Sequence, residues 1–455
     1  MKMRKQRIIA LLAAFSVAVS AFGTISVGAA ADEEFPYTAL TEPLDTAQED
    51  ENTVTIAGCT IPADATSICL IGGSEYDAMA DVYKTSYCPD YDDAYYFHPE
   101  FYAVDCTEIA EKLPNLQSLS ILKSDVTNLK ALSGMKSLKT LELQLCSGTT
   151  DISFLKGMTK LTTLKYIDKN CTDISPVKSL KKLDTLVLSP SGTLSDLSVV
   201  SGLKKLTYLD IDFQFKSLKP LAKLTKLKTL KVSSNALSDI STLSKLKNLT
   251  TLEIQERNNI KDITVIGKLT KLNTLMLHSM KVNSLAPLKK LKKLESLTVM
   301  YVDCPDARSV ISGLTALKEL SLADVDVGKD CKFMKKLKKL ETISILYVGL
   351  NSIDGMQNCK KLKNLLLQEN GTITDLTPLK KLTKLETLSM GNNGISDISP
   401  LAKLKNVKSL SIQGNRITDY SVLLGMKKLE FLWTDGLPSD IRQAVLKANP
   451  ECVIY

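Results

Sequence analysis

From residue 116 onward, apolar positions recur in a fixed phrase. Leu385, Leu388 and Met390 stand at spacings of three and two; Asn393 follows three residues later, then Ile395 and Ile398. The phrase restarts 22 residues on with Val407, Leu410, Ile412, Asn415 and Ile417. Its first apolar position falls at 116, 138, 161, 183, 206, 227, 249, 272, 294, 317, 340, 362, 385, 407 and 429, fifteen copies at intervals of 21 to 23 residues. A period this constant marks an array of structural repeats, each too small to bury its apolar face without its neighbours. The array is assigned to residues 116–434.

The last two apolar residues of each phrase are two apart, so they point to one side of a short strand. The first sits at the bend entering it. Five residues beyond the second leucine stand Asn235, Asn370, Asn393 and Asn415 in their respective copies. A buried amide there can satisfy backbone groups of adjacent coils that would otherwise cost a few kcal/mol unpaired. A second apolar set, such as Ile395, Ile398 and Leu401, then packs behind the strand. Asp173-Ile-Ser-Pro176 and Asp397-Ile-Ser-Pro400 read as tight turns, and Pro287 and Pro378 hold the same place. Proline and the short repeat exclude a full α-helix here and predict 3₁₀ or extended pieces. The fold class is an α/β-type repeat solenoid, with a parallel β-sheet on its concave face and 3₁₀ or extended segments on its convex face.

The flanks depart from the pattern. Lys2, Arg4, Lys5 and Arg7 precede an apolar run from Ile8 to Val27 and the small residues Ala29-Ala30-Ala31, the layout of an export signal cleaved before Asp32. With residues 1–31 so assigned, the mature chain is expected to be secreted, in part associated with the cell envelope, and without a membrane span. Residues 32–115 read as an acidic, tyrosine-rich leader and cap. In it, 54–56 and 68–70 are expected strands separated by a turn around Pro62. Half of the 14 tyrosines lie between 72 and 105; such aromatics either cover the first layer of the array or bind a partner. Asp90, Asp92 and Asp93 lack the glycine and closing glutamate of a calcium loop. Residues 435–455 read as a C-terminal cap: a helix over 438–448, N-capped by Ser439 with Ile441, Val445 and Ala448 on one face, then a strand from Cys452.

Charge divides along the same line. Residues 32–110 hold 18 acidic side chains and one basic, Lys84, whereas residues 111–455 hold 53 basic and 32 acidic. The ten cysteines match no zinc spacing. Cys146 and Cys171 follow adjacent strands; either they pair, or Cys146 simply stands buried in the asparagine position.

The outward strand positions carry the candidate chemistry. The first is mostly threonine or serine, which suits an exposed sheet by propensity alone. In four middle coils the asparagine position holds Met280, Val302, Val325 and Val348, near Met276, His278, Met300, Tyr301, Leu346 and Tyr347. With strands roughly 5 Å apart, these form an apolar and aromatic patch of the kind that marks a partner site; alternatively, a one-residue shift of register turns some of them into the core. Tyr208, Asp210 and Asp212 offer two carboxylates to a basic partner. Lysine pairs recur just before the strands (Lys181-Lys182, Lys204-Lys205, Lys292-Lys293, Lys338-Lys339, Lys360-Lys361, Lys427-Lys428), in equal phase along one edge. They make either a solvated face or a contact for anionic cell-wall polymer. Nucleic acid is disfavoured, because neither arginine nor aromatics accompany the lysines. No G-x-S-x-G, H-E-x-x-H or phosphate loop is present and the two histidines lie apart. No cofactor, metal site or enzymatic activity is expected; an enzyme with its site in 72–105 is the weakest reading.

The 22-residue unit and the stretch Asp397-Ile-Ser-Pro-Leu-Ala402, with its parallels, resemble the internalin-like family of bacterial leucine-rich-repeat proteins over residues 106–434. The resemblance implies a leucine-rich-repeat horseshoe whose concave side recognises proteins, often in adhesion. The chain differs in showing no wall-anchoring motif and no helical N-terminal cap. The function expected is that of a secreted monomer binding a protein through its concave face, with attachment to anionic wall polymer through the lysine ridge as the second reading.

Overall fold

The computed structural model describes residues 52–71, 95–97, 103–255 and 259–455. The expected export signal, the leader to residue 51, most of the tyrosine-rich stretch with Asp90, Asp92 and Asp93, and Cys88 and His98 lie outside the described residues. The described residues fall into two compact units, one up to Lys182 and one from Leu183.

In the first unit, Thr53–Ile56 and Cys59–Pro62 form an antiparallel hairpin. Its two-residue turn is Ala57-Gly58, with φ of 50° and 76°, the paired positive values that match strand twist. Pro62 ends the second strand and heads the expected turn, its carbonyl accepting from the Ala65 N–H at 3.0 Å. Ser67–Ile71 begins a parallel sheet, pairing with Tyr95–Phe97 on one side and Ser118–Leu122 on the other. Thr140–Gln144 and Thr163–Ile167 continue it. A short helix, α1 (Cys106–Lys112), is capped by Asp105, which accepts from the Thr107 N–H at 2.7 Å.

The second unit stacks parallel strands from Thr185–Ser189 to Val453–Ile454 in unbroken register. In both units the strands of the array begin two residues after the first apolar position of their phrase. Behind them lie 3₁₀ turns such as Lys219–Lys223, Thr377–Lys381 and Ser399–Lys403, each with proline in its first turn, where a missing N–H costs nothing. One coil substitutes a short helix, α2 (Ala307–Ile311). The last helix, α3 (Ser439–Ala448), begins at Ser439, with Pro438 in the N-cap position and no side-chain cap; Asp440 supplies negative charge to its first turn. Ser439 is thus not the cap.

The recurrent Asp-x-Ser/Thr has a local cause. Asp173, Asp239, Asp375, Asp397 and Asp419 each accept the backbone N–H two residues on, at 2.8 to 3.0 Å. These bonds lower the aspartate pKa; for Asp239, bonds from Ser241 and Ser217 take it down to about 2. A carboxyl depressed in the fold contributes stability that is present above its unfolded value and lost as pH falls through the folded one. Stability should therefore decline as pH drops from about 4 towards 2, as followed by acid titration of the circular dichroism signal. With Asp239→Asn and Asp375→Asn combined, that decline should be shallower.

The asparagine ladder and its exceptions share one mechanism. Asn370, Asn393 and Asn415 each follow a residue with left-handed φ: Glu369 at 59°, Asn392 at 55° and Gly414 at 66°. That turn of the backbone rotates the next side chain inward. Asn370 Nδ2 then donates to the carbonyls of Ile345, Leu367 and Gln368 at 3.0 to 3.1 Å. Asn393 repeats the pattern on Leu367, Met390 and Gly391, and Asn415 on Met390, Ile412 and Gln413. Cys146 follows Leu145, whose φ is 54°, and its thiol points to Ile121 O and Gln144 O at 3.2 and 3.3 Å. It fills the asparagine position and makes no disulfide. Cys171 is not its partner. Asn235 differs: the residue before it, Ser234, lacks a left-handed φ, so Asn235 is exposed. The buried Ser234 hydroxyl instead bridges Phe215, accepting from its N–H at 3.0 Å and donating to its carbonyl at 2.9 Å.

Candidate protein-binding face

The same left-handed residue decides which middle-coil side chains meet solvent. Ser279, Tyr301, Asp324 and Tyr347 have φ between 49° and 56°. Met280, Val302 and Val325, which follow the first three, are therefore buried, and Val348 is half-buried. These residues belong to the inner side, not to an outer patch. Tyr301 and Tyr347 themselves are thrown outward, 40% and 52% exposed.

The last outward position of each strand forms a row across the sheet: His278, Met300, Ala323 and Leu346 are paired in register. Met300 and Leu346 face this side yet are only 2% and 5% exposed. They are an apolar floor beneath the tyrosines, not free anchors. His278 and Met276 are half-buried. The His278 and Tyr301 rings meet edge to face at 5.3 Å, and Gln255 Nε2 approaches Met276 Sδ at 3.6 Å. The belt thus presents two tyrosine rings, a histidine and a thioether over a closed aliphatic layer.

One end of this belt is charged. In the central outward row the register pairs Asp210 with Lys231, Lys231 with Glu253, and Glu253 with Met276. Lys231 Nζ lies 3.2 Å from Glu253 Oε1. In the strand Tyr208–Asp212, Tyr208, Asp210 and Asp212 alternate outward with Leu209 and Ile211 inward. Ser189 donates to Asp212 Oδ2 at 2.8 Å. Burial, helped by Glu253 and Asp212 and opposed by Lys231, pushes the Asp210 carboxyl up to about 6. Burial and Asp210 push the Tyr208 phenol up to about 12. Burial works against the charge on Lys231, but Glu253, Tyr208 and Asp210 hold it above the ordinary lysine value. Two carboxylates, Asp210 and Glu253, therefore flank one ammonium in a half-buried place, with Asp212 beside Asp210, a standing demand for a further cation. Lys231 and Glu253 were not among the candidates from sequence. They sit 22 residues apart in different coils, and only aligning the repeats into columns brings them beside Asp210.

A smaller cluster lies in the first unit. Glu142 is fully buried on the outward side, bonded to Ser120 at 3.1 Å and to Gln144, with Lys165 at 3.5 Å; burial raises its carboxyl. Burial likewise pushes the thiols of Cys106 and Cys359 up to about 12, which removes them as nucleophiles at neutral pH. Among the described residues no group of three metal-ligating side chains converges, and no helix is long and apolar enough to cross a membrane.

Comparisons agree with this geometry. The family described as "Leucine Rich repeats (2 copies)" matches residues 225–268 and 360–403. Comparison with curated proteins finds no match. Among solved structures, an internalin, InlF, from Listeria monocytogenes is 30% identical, covering 66% of this chain and 81% of its own, with a TM-score of 0.49. The functional domain of InlJ from Listeria monocytogenes, which includes a cysteine ladder, is 21% identical over 71% of this chain and 69% of its own, with a TM-score of 0.51. A leucine-rich-repeat protein of Leptospira interrogans is 20% identical over 86% and 89%, with a TM-score of 0.45. With its asparagine ladder, its parallel strands at the repeat period and these likenesses, the chain belongs to the leucine-rich-repeat proteins and is structurally similar to the Listeria internalins.

Proposed function

We propose that this is a binding protein that takes a polypeptide across the sheet face of residues 183–455, with a basic residue of the partner seated at Asp210 and Glu253 and apolar residues laid over Tyr301 and Tyr347. One observation carries the reading. A half-buried pair of carboxylates, Asp210 and Glu253, on either side of Lys231 adjoins, in the same register, a belt of outward aromatics over a closed floor. Leucine-rich-repeat folds generally serve as protein-binding scaffolds, and this face offers charge for orientation and aromatic area for affinity. Four strand steps separate Asp210 from Met300, about 19 Å, the reach of roughly six extended residues. We further propose that residues 1–31 direct export, that 32–115 and 435–455 flank and cap the array at 116–434, and that the mature protein acts as a monomer outside the cell, adhesion being the finer role.

The test is a selection of displayed random peptides on the immobilised protein. Selected peptides should carry lysine or arginine within about six residues of an aromatic or aliphatic cluster, matching the 19 Å separation. Their binding should weaken at least tenfold on Asp210→Lys and on Tyr301→Asp. Peptides that bind both variants as well as the parent protein, with circular dichroism unchanged, would place recognition elsewhere.

A further inference from the structure

We infer that the strand-entry turns of residues 183–455 form a linear site for a flexible polyanion of repeating phosphodiesters. In coil after coil the N–H of the first apolar residue donates to the carbonyl three residues back, as in Leu227 to Leu224, Leu272 to Leu269 and Leu385 to Leu382 at 2.9 to 3.1 Å. Both anchors are buried, so the two residues between them are the solvent corners of a β-turn. From Lys204-Lys205 to Lys427-Lys428 there are eleven turns at this place, ten of them closed by that bond; fifteen of the 22 corners are lysine and none is acidic. All fifteen are exposed. Among the described residues none of them forms an ion pair; Lys271, Lys405 and Lys428 reach only neutral oxygens of neighbouring coils.

The adjacent column explains why no carboxylate answers them. One residue inside the turn, the chain alternates Glu295, Lys318, Glu341, Lys363, Glu386 and Lys408. These pair among themselves, Lys318 with Glu295 at 2.9 Å, Lys363 with Glu341 at 3.1 Å and Lys408 with Glu386 at 3.5 Å. Glu295, Glu341 and Glu386 are thus already neutralised by their own lysines. Beside this ladder lies a groove of about 320 Å³ lined by Lys363, Lys384, Glu386, Asn406, Lys408 and Lys428. With strands about 4.8 Å apart, eleven turns make a cationic track on the order of 50 Å long. Like charges at even pitch gather counter-anions, and a linear polyanion that replaces them gains their release. Lysine binds phosphate as a point charge, and each phosphodiester of a flexible chain carries one charge that asks for no fork. No corner residue is aromatic, so base stacking has no platform. These corners lie at the strand entries, so the inference stands independently of the sheet-face reading.

The probe is a labelled synthetic poly(glycerol phosphate), followed by fluorescence anisotropy over a sodium chloride series. Affinity should fall steeply with salt, each phosphate contact adding roughly 0.7 to the log–log slope. Converting Lys338, Lys339, Lys360 and Lys361 to glutamine should weaken binding at least tenfold at low salt and flatten the slope by about 3. Converting Lys216, Lys261, Lys281 and Lys329, exposed beyond the strand exits, to glutamine removes the same charge and should change binding less than threefold. Equal losses in the two variants, both folded by circular dichroism, overturn the assignment to the turns. Equal binding and slope for a hyaluronate of matched charge overturn the preference for phosphodiester, and absence of poly(glycerol phosphate) binding at low salt overturns the site.

Discussion

Asparagine in place of Asp210 is expected to stabilise the protein at pH 7.5 by about 2 kcal/mol and to change its stability little at pH 3.5. The carboxyl is pushed from 3.8 up to about 6, chiefly by burial. An acid raised in the fold is ionised there at a cost: the folded state holds its proton at a pH where the unfolded chain has lost it. The penalty is absent below the unfolded value, develops as pH rises from about 4 to 6, and is complete above. Asparagine mimics the protonated form in size and bonding, so it removes the penalty only where the penalty exists. The attraction of Lys231 is already contained in the raised value. Urea unfolding of the parent and the variant at the two pH values measures the difference. A charge kept at such a cost, at the edge of an aromatic belt, fits a role in recognition.

Alanine in place of Asn370 should destabilise the protein by about 3 kcal/mol, read as a lower urea midpoint at unchanged m-value. The Asn370 amide has two hydrogens shared among the carbonyls of Ile345, Leu367 and Gln368, and its oxygen accepts from Leu350 N–H at 3.4 Å. Asn370 is only 5% exposed, so water has little access to the four backbone groups that alanine would strand. Each buried unsatisfied group costs about 1 to 3 kcal/mol, with partial relief by relaxation. Asn235→Ala is the control. That side chain is exposed where Ser234 bonds Phe215 in its stead, and the loss should stay below about 0.5 kcal/mol. The contrast tests whether position in the repeat or local backbone turn decides the role of asparagine.

Most of the fold was legible because one rule is repeated. Fifteen first apolar positions, fourteen of them leucine, located fifteen strands two residues downstream, and proline with short repeats predicted the 3₁₀ turns. What the period could not express was a backbone detail at the end of the strand. The left-handed residue turns Met280, Val302 and Val325 inward and Tyr301 and Tyr347 outward, and it is carried here by serine, tyrosine, aspartate, glutamate and asparagine. No single residue type announces it, glycine included. Met300 and Leu346 were expected at the surface by alternation; their place in register with Ala323 is right, but they lie beneath the tyrosines' level, buried. Asp210 was visible as an outward acid. Its partners Lys231 and Glu253 were not, because cross-strand neighbours are a full coil apart in sequence.

The central claim is that Asp210 and its neighbours on the sheet of residues 183–455 hold a basic residue of a polypeptide partner. Calorimetric titration of a selected basic–aromatic peptide into the parent protein and Asp210→Asn at pH 7.5 tests it most directly. The account predicts at least a tenfold weaker affinity for the variant, about 1.4 kcal/mol, in a protein that is more stable than its parent. Equal affinity for both proteins would contradict it.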